Sequence, residues 1–174
     1  MTVRQATKLD AHGIANVSVT TWRQAYSHIL PAEVLDGLDV DRKATKVAEV
    51  IEAGVPYWVA VIEDKVVGFV TVGPNNEPDI PADAELKAIY VLPERHSNGI
   101  GRALMVEAVR RARAEGFKTM CVFAFFENHS ARSFYTGLGA RVYDTNTYNL
   151  AGVDYPDQSY LWESLDELWI RLTS

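Results

Sequence analysis

Val91-Leu92-Pro93-Glu94-Arg95-His96-Ser97-Asn98-Gly99-Ile100-Gly101-Arg102-Ala103-Leu104 carries the strongest fold signal in the chain. The β-rich run 84–92 predicts a strand, Pro93 ends it, and residues 94–98 form a loop. A helix is then predicted over 99–115, with Leu104, Ala108 and Ala112 on one face and Gly116 at the favoured αL stop position. The first turn of a helix holds N–H groups without intrahelical acceptors and a partial positive charge. Gly99 and Gly101 let that backbone approach a ligand without a Cβ in the way. Strand, glycine loop and helix start together predict a phosphate cradle, flanked by Arg95 and Arg102. The competing reading is a plain strand-to-helix turn that uses glycine for geometry alone. A dinucleotide fingerprint is disfavoured. Leu104 stands where a third glycine or alanine is needed, and the next strand ends in Phe125-Phe126, not in an acid. A P-loop needs Gly-Lys-Ser/Thr, which is absent.

Working outward, residues 2–7 read as a strand, and Asp10 sits at a cap position before a helix over 11–27. Leu30-Pro31 breaks that helix, and a second runs over 41–53 to Gly54. Residues 57–62 and 65–72 form a hairpin turning at Glu63-Asp64. After the glycine-loop helix comes a strand over 119–125. Asn128 then caps a helix whose Ala131, Phe134, Tyr135 and Leu138 share a face, and Gly137 and Gly139 terminate it. Late strands are predicted over 143–150 and 159–162, linked by a turn around Gly152 and Pro156, and 164–174 shows no decisive pattern. The order is β-α-α-β-β-β-α-β-α-β-β. It predicts a mixed α/β (α+β) sheet flanked by helices, and not a doubly wound parallel one.

Composition bounds the function. The chain has 174 residues, a length that predicts one domain over 1–174. It carries 17 Lys+Arg against 23 Asp+Glu, a net charge of -6, which argues against nucleic-acid or anionic-membrane binding. The single cysteine, Cys121, permits no intrachain disulfide and no Cys₂ or Cys₄ metal site. Histidines 12, 28, 96 and 129 show no metal-ligand spacing, so no metal is expected. No apolar run approaches the ~18–20 residues that span a bilayer. The N-terminal residues lack the apolar core of a secretory signal, so the expected location is cytoplasmic.

A second stretch, Asn128-His129-Ser130-Ala131-Arg132-Ser133-Phe134-Tyr135-Thr136-Gly137-Leu138-Gly139-Ala140, completes the pattern. The two stretches in this order resemble a known family, the GCN5-related N-acetyltransferases (GNAT). The family's pyrophosphate motif, Gln/Arg-x-x-Gly-x-Gly/Ala, aligns with His96 through Gly101, preceded by Ile89-Tyr90-Val91 and followed by Arg102. Its second motif, Asn-x-x-Ala-x-x-Phe-Tyr-x-x-Leu-Gly-Phe, aligns with Asn128 through Ala140. The departures are His96 for Gln or Arg and Ala140 for the aromatic.

The resemblance implies splayed strands 4 and 5, with acetyl-CoA as co-substrate and its pantetheine arm pairing with strand 4. It implies cofactor contacts from Ile89, Tyr90, Val91, His96, Ser97, Asn98, Gly99, Ile100, Gly101, Arg102, Asn128 and Tyr135. It implies direct attack by a primary amine of a small molecule or peptide N-terminus. Tyr135 would be the acid for the leaving thiolate and Glu85 the base for the amine, with Glu127 or water as alternatives. Each residue has a plainer role too: Tyr135 as a core aromatic, Asn128 as an N-cap and Glu85 as solvated surface. Cys121, in the apolar run Met120-Cys121-Val122-Phe123, reads as inert packing. Trp22, Tyr26 and Tyr148 are the candidate walls of the amine pocket, although Trp22 at helical spacing also suits a core. Family members often dimerise, and Trp162 and Trp169 are candidate interface residues. A CoA-binding sensor without transfer activity and a transferase of a longer acyl group are the alternative functions.

Overall fold

The computed structural model describes residues 1–174. Contacts group the chain into two compact units, Met1–Gly73 with Lys87–Ala108, and Pro74–Leu86 with Val109–Ser174.

The first unit contains β1 (Thr2–Gln5), α1 (Ala11–Ala25), α2 (Ala32–Asp36), α3 (Val40–Glu52), β2 (Tyr57–Ile62) and nearly all of β3 (Lys65–Pro74). It also holds the C-terminal part of β4 (Ala84–Val91) and the start of α4 (Ile100–Ala114). β1 and β3 pair antiparallel with β2 on either side. The apolar positions of α1 meet those of the strands: Ile14 and Val17 pack with Val59, Phe69 and Val47 of α3. Each such buried side chain contributes about 1.5–3 kcal/mol of transfer free energy. Gly68 marks the closest approach in this unit. A Cβ there would lie 3.0 Å from Tyr90 O and 3.2 Å from Leu104 Cδ1, so glycine lets β3 lie tight against β4 and α4. Asp39 caps α3 by accepting from Arg42 N at 2.6 Å.

The second unit contains the start of β4, β5 (Met120–Phe125), α5 (His129–Gly137), β6 (Arg141–Leu150), β7 (Val153–Trp162) and α6 (Leu165–Thr173). Ala84 and Glu85 pair parallel with Met120 and Cys121. β7 lies antiparallel to β5 on one side and to β6 on the other, with a bulge between Val142 and Asp144. The strand order is β1-β2-β3-β4-β5-β7-β6, giving a mixed, mostly antiparallel sheet with helices, as the sequence predicts.

Three elements differ from expectation. β7 starts at Val153, six residues before the predicted 159, and runs straight through Pro156. Phe126 N donates to Pro156 O at 2.9 Å, so the proline's carbonyl faces the β5 side. In an antiparallel pair a residue's N–H and C=O point the same way, so the missing donor costs the β6 ladder nothing. α2 is a five-residue turn after Pro31, too short to show periodicity. α6 occupies the unassigned tail. Ser164 caps it by accepting from Glu167 N at 3.2 Å, and Leu165, Leu168 and Leu172 are its buried face. Ser164-x-x-Glu167 is a capping-box pattern, so the signal was present in the sequence. Trp162 is 3% exposed and donates its indole N–H to Leu138 O at 3.1 Å, which removes it from any interface role. No helix is long and apolar enough to cross a membrane.

Candidate active site

The glycine loop is built as the sequence predicts. Pro93–Arg95 make one 3-10 turn after β4. Ser97 and Gly99 both take left-handed backbone, with φ of 64° and 74°, and α4 starts at Ile100. Ala103 N bonds Gly99 O at 3.0 Å, so the N–H groups of Ile100 and Gly101 precede the first intrahelical bond. The loop holds itself in shape. Asn98 Nδ2 donates to the carbonyls of Arg95 and His96, each at 3.2 Å. His96 Nε2 stands 2.9 Å from Val91 O, and since a carbonyl only accepts, Nε2 carries the proton. The ring therefore ties the loop to the end of β4. His96, Ser97, Asn98, Gly99 and Arg102 are exposed, whereas Ile100 is buried beneath them. Exposed amides above a packed anchor, at the positive end of a fifteen-residue helix, fit a pyrophosphate.

Ile89, Tyr90 and Val91 are half-buried along β4. Trp22 donates its indole N–H to Tyr90 Oη at 3.1 Å. Trp22 also meets Tyr26 edge-on, with centroids 5.0 Å apart. Tyr26 is buried and Trp22 half-buried. Beside Trp22, a small pocket is lined by Ser18, Val19, Leu38 and Lys43. Burial, with Lys46 adding like charge, pushes the Lys43 ammonium below its ordinary pKa.

In the second unit, Asn128 caps α5, its Oδ1 accepting from Ala131 N at 3.2 Å. Tyr135 is 6% exposed, its ring 5.9 Å from both Tyr160 and Trp162. Arg132, which the sequence reading passed over, fastens the start of α5. Its Nε donates to Tyr160 Oη at 2.9 Å and its Nη1 to Phe126 O at 2.7 Å. Glu85 is half-buried on β4, level with Cys121. The Cys121 thiol is buried and donates to Asn75 Oδ1 at 3.6 Å, in keeping with packing. Tyr148 is exposed and meets Phe125 edge-on at 5.6 Å. A residue missed in the sequence is Asp157, only 7% exposed, whose Oδ1 has no hydrogen-bond partner. Burial, reinforced by Glu77, raises its carboxyl above the ordinary range. No group of three or more His, Cys, Asp or Glu side chains is arranged to hold a metal ion.

Comparison with known proteins gives the same family as the two motifs. Residues 19–140 match the profile of the Acetyltransferase (GNAT) family. The chain is 33% identical over 169 residues to the uncharacterized N-acetyltransferase YuaI of Bacillus subtilis (strain 168), covering 97% of this chain and 96% of YuaI. Its fold matches the ribosomal-protein-alanine N-acetyltransferase of Brucella melitensis with a TM-score of 0.72 at 20% identity, over 93% of this chain and 99% of that one. It matches yncA of Salmonella typhimurium, solved with its cofactor acetyl-CoA, with a TM-score of 0.72 at 21% identity, over 95% and 94% of the two chains.

Proposed function

The chain belongs to the Acetyltransferase (GNAT) family, and from that premise we propose that it is an acetyl-CoA-dependent enzyme that acetylates a primary amine by direct attack in a ternary complex. The observation that carries this reading is the glycine loop. Left-handed Ser97 and Gly99 and the opening amides of α4 suit a pyrophosphate, and the sequence there matches the family motif. The acetyl-CoA found with yncA supports the same choice of co-substrate.

Each residue then has one task. The amides of Gly99, Ile100 and Gly101 bind the pyrophosphate, and Ser97, Asn98, His96 and Arg102 shape and charge its surroundings. The backbone of Ile89, Tyr90 and Val91 aligns the pantetheine arm, and Asn128 orients the start of α5. Glu85 accepts, through water, the proton that the ammonium must lose to become nucleophilic. The C–N bond forms as the C–S bond breaks, and the Tyr135 hydroxyl gives its proton to the departing thiolate. Trp22, Tyr26 and Tyr148 are the aromatic walls for the acceptor. Residues 1–174 act as one N-acetyltransferase domain in the cytoplasm, with a homodimer as the assembly to check by light scattering.

The deciding experiment is calorimetric titration with acetyl-CoA, followed by measurement of free CoA released with a panel of amines. Tight binding with amine-dependent release is the expected result. Binding without release from any amine would replace the enzyme with a CoA sensor, and absence of binding would end both readings. Running acetyl-, succinyl- and longer acyl-CoA in one assay fixes the acyl preference.

A further inference from the structure

Asp157 is a buried carboxyl, and one of its two oxygens, Oδ1, has no hydrogen-bond partner. It lies on the inner strand β7, opposite Phe125 of β5 and Asn146 of β6. It is 7% exposed, its Oδ1 is sealed from solvent, and nothing donates a hydrogen bond to that oxygen. The charge acting on it is that of Glu77, of the same sign. A carboxylate in that position destabilises the fold unless a cation or donor compensates it. No basic side chain supplies the compensation.

The surroundings suit a cation from outside. Side chains alternate along a strand, so Phe125, Tyr155 and Asp157 share one face, with Asp157 and Phe125 side by side. The Phe125 ring meets Tyr148 and Tyr155 edge-on, at 5.6 and 6.2 Å. Glu77, whose like charge acts on Asp157, is exposed. Two carboxylates and a group of aromatic rings form an arrangement that attracts ammonium groups.

We propose that Asp157 is a specificity-determining residue that holds a cationic group of the acceptor. Register says which group. Glu85 is level with Cys121, and Asp157 with Phe125 of the same strand and face. Four residues of β5 separate the two levels, about 13 Å at ~3.3 Å per residue. One ammonium does not reach both carboxylates. The amine that reacts near Glu85 is therefore distinct from the cation at Asp157, and the acceptor class is an aliphatic amine bearing a second positive group. This substrate class rests on the acetyltransferase reading, whereas the cation site itself does not.

The test uses spermidine, a flexible triamine, and n-butylamine, with a single charge, titrated calorimetrically into the full chain and into its Asp157→Asn and Glu77→Gln variants. Expected are wild-type binding of spermidine at least tenfold tighter than of butylamine, a tenfold or greater loss in Asp157→Asn, and a loss of a few-fold in Glu77→Gln. In turnover at saturating acetyl-CoA, Asp157→Asn raises KM for spermidine at least tenfold with kcat within about threefold. Equal spermidine binding by wild type and Asp157→Asn, or no binding by wild type, overturns the proposal. An unchanged acetyl-CoA Kd and an intact thermal transition show that the variant is folded. Acetyl-CoA titration of the wild type is read separately. If it fails while spermidine still binds through Asp157, the transferase reading falls and the cation site stands.

Discussion

His96 Nε2 donates to Val91 O at 2.9 Å, so the side chain that stands where the first motif has Gln or Arg fixes the loop to the strand before it. A net hydrogen bond is worth about 1 kcal/mol, or roughly a factor of five in a binding constant when it preorganises the bound shape. His96→Ala is expected to weaken acetyl-CoA about three- to tenfold by calorimetry. The thermal transition should barely move, because the ring is exposed. An unchanged Kd would mean that the loop keeps its shape without this bond.

Gly99 gives a sharper test of the same cradle. Its φ of 74° is left-handed, and a Cβ there would meet nothing within 4 Å. A substituent therefore strains the backbone without clashing. Gly99→Ala should cost about 1–2 kcal/mol of stability in urea titrations and weaken acetyl-CoA at least fivefold. Gly99→Asn should cost less on both counts, because asparagine tolerates this region better. Equal losses from both variants would point to a steric cause instead.

Tyr135 separates packing from chemistry. Its ring packs on Tyr160 and Trp162, contacts that phenylalanine keeps. Removing the hydroxyl removes the proposed acid. Tyr135→Phe is expected to lower kcat about 10²-fold or more while leaving the acetyl-CoA Kd within threefold and the fold intact. Full turnover in the variant would return Tyr135 to its plainer role as a core aromatic.

How much was legible follows from where the physics was local. The glycine loop before α4, the Asn128 cap and the β2–β3 hairpin depend on neighbours within a few residues, so glycines, capping side chains and alternation were enough to find them. α6 was equally local: its eleven-residue segment holds three leucines at helical spacing, and the Ser164-x-x-Glu167 box was the signal to follow. Asp157 was not legible. Its importance comes from burial on an inner strand and from Glu77, eighty residues away in sequence, and neither leaves a mark on the tripeptide around it. Pro156, one residue earlier, argued for a turn, and only the ladder shows why the strand passes through it.

Asp10 supplies an acid-sensitive tie in the first unit. Arg4 grips both its oxygens at 2.8 and 2.7 Å and Thr7 N donates at 2.8 Å. The Arg4 hydrogen bonds, against some desolvation, hold its carboxyl below the ordinary value of 3.8. A lowered folded-state pKa contributes stability that is present above 3.8 and lost as pH falls through the lower folded value. Arg4 is nearly half exposed, so the pair is worth about 1–2 kcal/mol after screening. Asp10→Asn should therefore lower urea stability by about that amount at neutral pH, with the gap to wild type closing only as pH falls below 3.8 and through the lowered folded-state value. A gap that persists in acid would place the loss in packing.

Asp157 makes the opposite prediction, and it can be read without any ligand. Burial and then Glu77 raise its carboxyl above 3.8. Its ionisation therefore opposes folding: the cost is absent below 3.8, grows as pH rises towards the raised folded value, and is complete above it. Asn removes the charge while nearly preserving the shape, so Asp157→Asn is expected to be more stable than wild type at pH 7–8, by about 1–3 kcal/mol. The advantage should shrink as pH falls towards 4. A stabilising variant that also loses spermidine is what a binding residue held at the expense of the fold produces. If the variant is instead less stable than wild type at neutral pH, Asp157 is compensated within the protein, and the argument for an external cation loses its basis.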